Sequence, residues 1–246
     1  MRAIARLACA VLLFAVVAPI HILTRAVLGR SPWPSRFLWG AAWAFGARVS
    51  VRGDPVRGHV LLIANHTSWL DILILGGSVG TAFVSKDQLG HSFIHWLADQ
   101  NGTIYVKRTQ VKGAKDQAMA LARALERPKP VAVFPEGTTG PGTHLLPFRS
   151  TLLEAANFAA KDVEIRPVAI DYGEARAEMG WFDDEPGMSN VWRLLGRRGS
   201  LPVTVKLLPP LDRSGGRKQL TADAREAIAQ TLGFKSDAQS PIAEAE

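Results

Sequence analysis

The sequence predicts an α/β fold, a sandwich of one sheet and its covering helices, preceded by a separate apolar helical segment. Three observations predict it. Before Asp54 there is no acidic residue, and the only charged side chains among the long apolar runs are arginines. From about Val49 the pattern changes to short apolar runs separated by turns. Helical patterns fall between those runs, and alternation of strand and helix marks an α/β sandwich. The 246 residues suffice for one sizeable hydrophobic core. With 47% hydrophobic and 21% charged residues, the chain is far from the composition of disorder. The expected division is an N-terminal helical segment over residues 1–48, a body over 49–212, and a C-terminal helix and tail over 213–246.

Residues 7–24 carry no formal charge with histidine neutral, and their number is near the lower limit for a bilayer-spanning helix. Arg2 and Arg6 precede this run and Arg25 and Arg30 follow it, so flanking charge sets no orientation. The arrangement resembles an uncleaved signal anchor, because no small-residue cleavage site follows Pro19 and His21. A second stretch, 32–49, carries Trp33, Trp39 and Trp43, rings suited to the headgroup level, and Pro34 and Ser35 suit a helix start. The expectation is a membrane-associated pair of helices: both in or on one leaflet, or one span plus one interfacial helix. A buried helical hairpin packed on the body is the plainer alternative. A net charge of +7, with arginine beside apolar sequence, suits an anionic membrane. No zinc-finger spacing, RNA-binding signature or lysine-rich tail points to nucleic acid. Cys9 is the single cysteine, which excludes an intrachain disulfide, and reads as a small apolar filler.

In the body, strands are expected over 59–64, 81–85, 103–107, 131–134, 165–170 and 203–208. Helices are expected over 115–126, 146–160 and 222–231, with a polar turn over 212–216.

The string ANHTSWLD follows the first body strand directly. His66 and Asp71 are five residues apart, about 140° on an ideal helix, so they meet only if a helix begins between them. Ser68 as N-cap with Asp71 at the third helical position does this, and sets the carboxylate at the positive helix end. Histidine is the natural base for a hydroxyl at neutral pH, and an adjacent carboxylate fixes its tautomer. The plainer alternative is a capping box of Ser68 and Asp71 beside an incidental histidine.

In FPEGTTG (134–140), Pro135 and Gly137 force a turn that a ligand can approach closely. Thr138, Thr139 and nearby amides suit an anion. Glu136 does not, and is expected to accept hydrogen bonds from backbone, an arginine or a ligand hydroxyl; a simple turn is the alternative. In GTIYVKR (102–108), Lys107 and Arg108 follow a strand, where a guanidinium can clamp a phosphate. His91 and His95 lack a third ligand and a HExxH pattern, so packing, not metal binding, is expected. Phe93 and Trp96 suit an apolar channel or the membrane. A GxSxG elbow, a P-loop and a dinucleotide glycine fingerprint are missing, which argues against the functions they carry.

Taken together, NHTSWLD, GTIYVKR, FPEGTTG and RPVAI stand in the order of the motifs of the glycerolipid acyltransferase family, which residues 49–208 resemble. That family includes enzymes that acylate 1-acyl-sn-glycerol-3-phosphate to phosphatidic acid. The resemblance implies an α/β sandwich with a mixed central sheet. It implies His66 as general base, Asp71 as its orienting partner and Arg108 as the phosphate contact. Glu136 and Gly137 would form the acceptor site, and Pro167 and Val168 would lie near the acyl channel. The co-substrate would be acyl-CoA or an acyl-carrier-protein thioester, the acceptor a lysolipid, with no cofactor or metal. The bacterial inner (cytoplasmic) membrane, with the site facing the cytoplasm, is the implied location.

Many members have arginine where this chain has Thr139, which weakens a phosphate monoester acceptor unless Arg149, in LPFRS, supplies the charge. The FPEGTTG…LPFRS variant, with the later WF and VWRLLG segments, also resembles a bacterial subgroup that acylates lyso-ornithine lipid. The expected function is acylation of 1-acyl-sn-glycerol-3-phosphate, with lyso-ornithine lipid as the second reading. A non-enzymatic membrane lipid-binding protein is the alternative of another class.

Overall fold

The structure is a computed structural model and describes residues 1–86, 92–106, 114–160, 162–181 and 184–234. Two helices open it, α1 (Arg2–Leu28) and α2 (Trp33–Ala44). The described strands are β1 (Ala47–Arg52), β2 (Val60–Ala64), β3 (Ala82–Lys86), β4 (Ile104–Val106), β5 (Val131–Val133), β6 (Glu164–Asp171) and β7 (Leu201–Leu207). The remaining helices are α3 (Leu70–Ser78), α4 (Ser92–Gln100), α5 (Ala114–Leu125), α6 (Ala155–Phe158), α7 (Arg176–Met179), α8 (Gly187–Gly196) and α9 (Gly216–Leu232).

The strands form one seven-stranded sheet in the order β1-β7-β6-β2-β5-β3-β4. Every neighbouring pair is parallel except β6 and β7, so the sheet is mixed, as expected. The central strand β2 shows why the sequence folds this way. Leu61 and Ile63 face a core shared with Leu121 and Leu125 of α5 and Ile228 of α9. Val60, Leu62 and Ala64 face a second core with Ala42 of α2, Ile74 of α3 and Leu194 of α8. A parallel strand covered on both faces needs apolar side chains on both, hence the unbroken VLLIA.

Two expectations need correction. β1 was not anticipated: it pairs only with β7, and Arg48, Ser50 and Arg52 alternate with its apolar residues, so it lacks an apolar run. The helix expected over 146–160 is broken into a short 3₁₀ turn, Ser150–Leu153, and α6. Its first amides are already spent, since Leu146 N donates to Glu136 Oε2 and Arg149 N to Pro135 O.

Helix α1 alone among the described helices is long and apolar enough to cross a membrane. It is nonetheless tied to the body at both ends. The Arg6 guanidinium donates to the carbonyls of Leu194, Leu195 and Gly199 around the end of α8. Near the other end, Gln100 Oε1 of α4 accepts from Arg25 at 2.8 Å and lies 3.0 Å from His21 Nε2. Ala10, Val17 and His21 are buried against the protein, while Val11, Leu12, Val16 and Leu23 face outward.

Helix α2 seats directly on α3. A Cβ on Gly77 would fall 2.4 Å from Trp39 N, and one on Gly76 would fall 2.5 Å from Leu38 Cδ1. Gly77→Ala is therefore expected to push the two helices apart and destabilise the fold by about 1–3 kcal/mol, the usual cost of overpacking, in a denaturant titration. An unchanged midpoint would mean that α2 shifts without loss.

Candidate active site

The candidate residues gather where β2 and β5, parallel neighbours, end on the same edge of the sheet. Past β2, the side chain of Asn65 continues the ladder to β6. Its Nδ2 donates to Ile170 O at 3.1 Å and its Oδ1 accepts from Ile170 N at 2.8 Å. The chain then turns through His66, Thr67 and Ser68, and α3 begins at Leu70.

His66 Nδ1 lies 2.9 Å from Asp71 Oδ2. The same oxygen accepts from Thr67 N at 2.7 Å and Ser68 N at 2.9 Å. The other carboxylate oxygen accepts from the Tyr172 hydroxyl at 2.5 Å. The helix starts one residue later than expected, with Trp69 at the cap position; the expected Ser68 contact is present, since Ser68 Oγ accepts from Leu70 N at 3.4 Å. The Asp71 carboxylate itself reaches back over the loop amides, because these are the donors that the helix start leaves unpaired. With donors converging on Asp71, the network assigns the His66 proton to Nδ1 and leaves Nε2 as the acceptor.

The loop after β5 grips His66 from both sides of its peptide. Glu136 Oε1 accepts from His66 N at 2.7 Å, and Gly140 N donates to His66 O at 2.7 Å. Glu136 Oε2 accepts from Leu146 N at 2.9 Å. Of the three partners expected for Glu136, the structure supplies backbone. This carboxyl is only 4% exposed. Burial pushes its pKa up from 4.5 to about 7, the Asp71 charge adds to this, and the two backbone bonds and Arg225 partly offset it. Gly137 takes φ +75°, which closes the turn through its amide onto Phe134 O. The His66 ring stacks on Phe134 with centroids 4.1 Å apart, which fixes its plane.

A cavity of about 520 Å³ opens at this edge, lined by His66, Gly137, Thr138 and Thr139 at its polar part. Its wall is apolar: Phe14 of α1, Phe37 and Leu38 of α2, Ile72 and Leu73 of α3, and Trp96 of α4. The N-terminal helices thus complete the site. Arg149 is exposed and is not among the lining residues, and Pro167 and Val168 sit within β6 away from the lining. Lys107, Arg108 and His91 lie outside the described residues. His95 packs beside Tyr105, and the described residues contain no cluster of three metal-ligating side chains.

Sequence reasoning missed two residues of this site. Asn65 was read only as part of a string. Tyr172, one of two tyrosines in the chain, is 101 residues from Asp71, and only its place after an apolar strand could have flagged it.

Residues 48–171 match the Acyltransferase family. A lyso-ornithine lipid O-acyltransferase from Rhodobacter capsulatus is 36% identical over 202 residues, 78% of this chain and 72% of the relative. A 1-acyl-sn-glycerol-3-phosphate acyltransferase from Neisseria meningitidis serogroup B is 29% identical over 197 residues, 75% of each chain. The crystal structure of the 1-acyl-sn-glycerophosphate acyltransferase from Thermotoga maritima shares the fold, with a TM-score of 0.61 at 22% identity over 96% of this chain and 100% of that one. The chain belongs to the acyltransferase family and is an enzyme of that kind, which sets aside the non-enzymatic lipid-binding reading.

Glu136 makes stability pH-dependent. With its folded pKa raised from 4.5 to about 7, its stabilising contribution is full below about pH 4.5 and is lost as pH rises through about 7. The loss amounts to about 3 kcal/mol. Glu136→Gln is expected to flatten urea-unfolding stability across that window; an unaltered slope would assign the dependence to another group. Tyr172→Phe is expected to keep the fold and lower kcat by roughly tenfold, the worth of one hydrogen bond to a charged acceptor, in steady-state assays.

Proposed function

We propose that the chain transfers a fatty acyl group from a thioester donor, acyl-CoA or acyl-carrier protein, to the free hydroxyl of lyso-ornithine lipid. The observation that carries the transfer is His66 lining an apolar cavity while its Nδ1 is engaged by the buried Asp71. His66 Nε2 accepts the proton of the acceptor hydroxyl as that oxygen attacks the thioester carbonyl. The carbon–sulfur bond then breaks, and the departing thiolate takes the proton from the imidazolium. Asp71 holds the ring in the productive tautomer and stabilises its positive charge. The apolar wall from α1, α2 and α3 holds acyl chain, and Gly137, Thr138 and Thr139 face the headgroup end.

Charge supports this acceptor. A phosphate monoester calls for cationic clamps, yet among the described residues no lysine or arginine lines the cavity. Thr139 stands where a guanidinium would serve, and Arg149 lies outside the lining. An ornithine headgroup, with one carboxylate and one amino group, needs no such clamp. The 36% identity to the Rhodobacter enzyme, against 29% for the Neisseria one, supports the same choice. Acylation of 1-acyl-sn-glycerol-3-phosphate is the second reading, favoured by the Neisseria relative, and would have Arg108 supply the cation.

The same proposal sets the protein on the cytoplasmic face of a bacterial inner membrane, with residues 1–48 as its lipid-contacting unit and 49–212 as the catalytic body. The ties that hold both ends of α1 to the body support a helix lying in one leaflet over one that crosses the bilayer. Trp39 and Trp43 are exposed beside it, and Arg36 and Arg48 cover the faces of Trp33 and Trp43.

With palmitoyl-CoA and each acceptor offered separately, diacyl product is expected from lyso-ornithine lipid. Product from 1-acyl-sn-glycerol-3-phosphate alone would overturn the acceptor assignment. His66→Ala is expected to lower turnover by roughly 10²- to 10⁴-fold while membrane association persists; normal turnover would sink the base assignment.

A further inference from the structure

Two segments singled out in the sequence, WF at 181–182 and VWRLLG at 191–196, take no part in the chemistry above. Trp181 and α8 nevertheless touch both loops of the site. Trp181 N donates to Gly140 O at 3.2 Å. A Cβ on Gly142 would fall 2.1 Å from Arg176 O, and one on Gly180 would fall 2.2 Å from Pro141 O. Backbone therefore meets backbone where 176–181 crosses the loop after β5. On the other side, Trp69 Nε1 donates to Asn190 Oδ1 at 3.1 Å. Trp69 is the residue before α3, and Asp71 is the second residue of that helix.

One side-chain network joins these two contacts. Asn190 is fully buried and donates through Nδ2 to Glu185 Oε2 at 2.7 Å. Arg193 grips the same carboxylate with Nε on Oε1 and Nη2 on Oε2, both at 2.8 Å. Its Nη2 also donates to Gly180 O at 2.8 Å. The Trp181 indole donates to Glu185 O at 2.9 Å. The orientation of the Asn190 amide is unambiguous, because an indole N–H only donates and a carboxylate only accepts.

We propose that Asn190, held by Glu185, is a positioning residue for acyl transfer: through Trp69 it fixes the start of α3, and so the Asp71 carboxylate, relative to the Gly137–Thr139 turn. The bonds that cross directly between the two loops hold the peptide of His66, not the helix that carries Asp71. Tyr172 ties the Asp71 carboxylate to the end of β6; the Trp69–Asn190 bond ties the start of its helix to α8 and, through Glu185 and Trp181, to the loop after β5. Catalytic groups misplaced by about 1 Å lose rate steeply while ground-state binding changes little. The proposal rests on the reading of His66 as base.

The test is a double-mutant cycle on the full-length chain, with Asn190→Ala, Trp69→Phe and both together. Turnover is read as free CoA released from palmitoyl-CoA, with lyso-ornithine lipid and 1-acyl-sn-glycerol-3-phosphate present in equal amounts, so the readout does not depend on the acceptor. Thermal unfolding is measured in parallel. Each single substitution is expected to lower kcat by roughly tenfold, with KM for palmitoyl-CoA within about twofold, and the double variant to be no slower than either single. Unchanged kcat, or effects that multiply in the double variant, overturn the proposal. If Asn190→Ala fails to fold, Trp69→Phe decides alone, since it removes the indole donor and part of the ring system while keeping an aromatic ring against Phe45. The two readings fail separately: activity surviving in His66→Ala refutes the base, and an additive cycle refutes the positioning.

Discussion

The Asp71 carboxylate is fully buried yet receives hydrogen bonds from the His66 ring, two loop amides and the Tyr172 hydroxyl. A carboxylate without such partners would be prohibitively costly in the interior, so these donors are a condition of its burial. They also define the local chain path. Three of them come from the turn after β2, which must curl tightly round the start of α3 to reach the same oxygen. The fourth comes from the end of β6, so the site depends on β2 and β6 being neighbours in register. Asn65, bonded on both sides to Ile170, enforces that register at the point where the strands part.

Glu136 is the counterpart in the loop after the adjacent strand, with a different environment and a different consequence. It too is buried, but among the described residues two backbone amides serve it, and burial outweighs them. The carboxyl therefore ties two loops together at the cost of a pKa raised to about 7. Two nearby carboxyl groups thus do separate work: one orients a ring, and the other holds the peptide that bears it.

The N-terminal helices have a double part in this arrangement. One face of α1 and α2 is exposed and apolar, as a lipid-contacting element requires, while Phe14, Phe37 and Leu38 turn inward to wall the cavity. The contact that allows this is the close approach of α2 to α3 at Gly76 and Gly77. A side chain there would lift the wall away from the helix that carries Asp71.

The sequence by itself determined the alternation of strands and helices, because a strand buried on both faces must read as VLLIA and a turn at its end must carry residues such as Pro135 and Gly137. It also brought His66, Asp71 and Glu136 to notice, since their chemistry is unusual at strand exits. Local signals failed where partners are distant. The edge strand β1 is legible only beside β7, and the amides of Leu146 and Arg149 leave the expected helix only because the loop after β5 claims them. The tertiary structure alone decided that Tyr172 completes the Asp71 network, that Trp69 meets Asn190, and that helices from the start of the chain close the cavity. Hydrogen bonds and packing between residues a hundred positions apart leave no periodicity in the sequence, because nothing local requires them until the sheet has set the strand order.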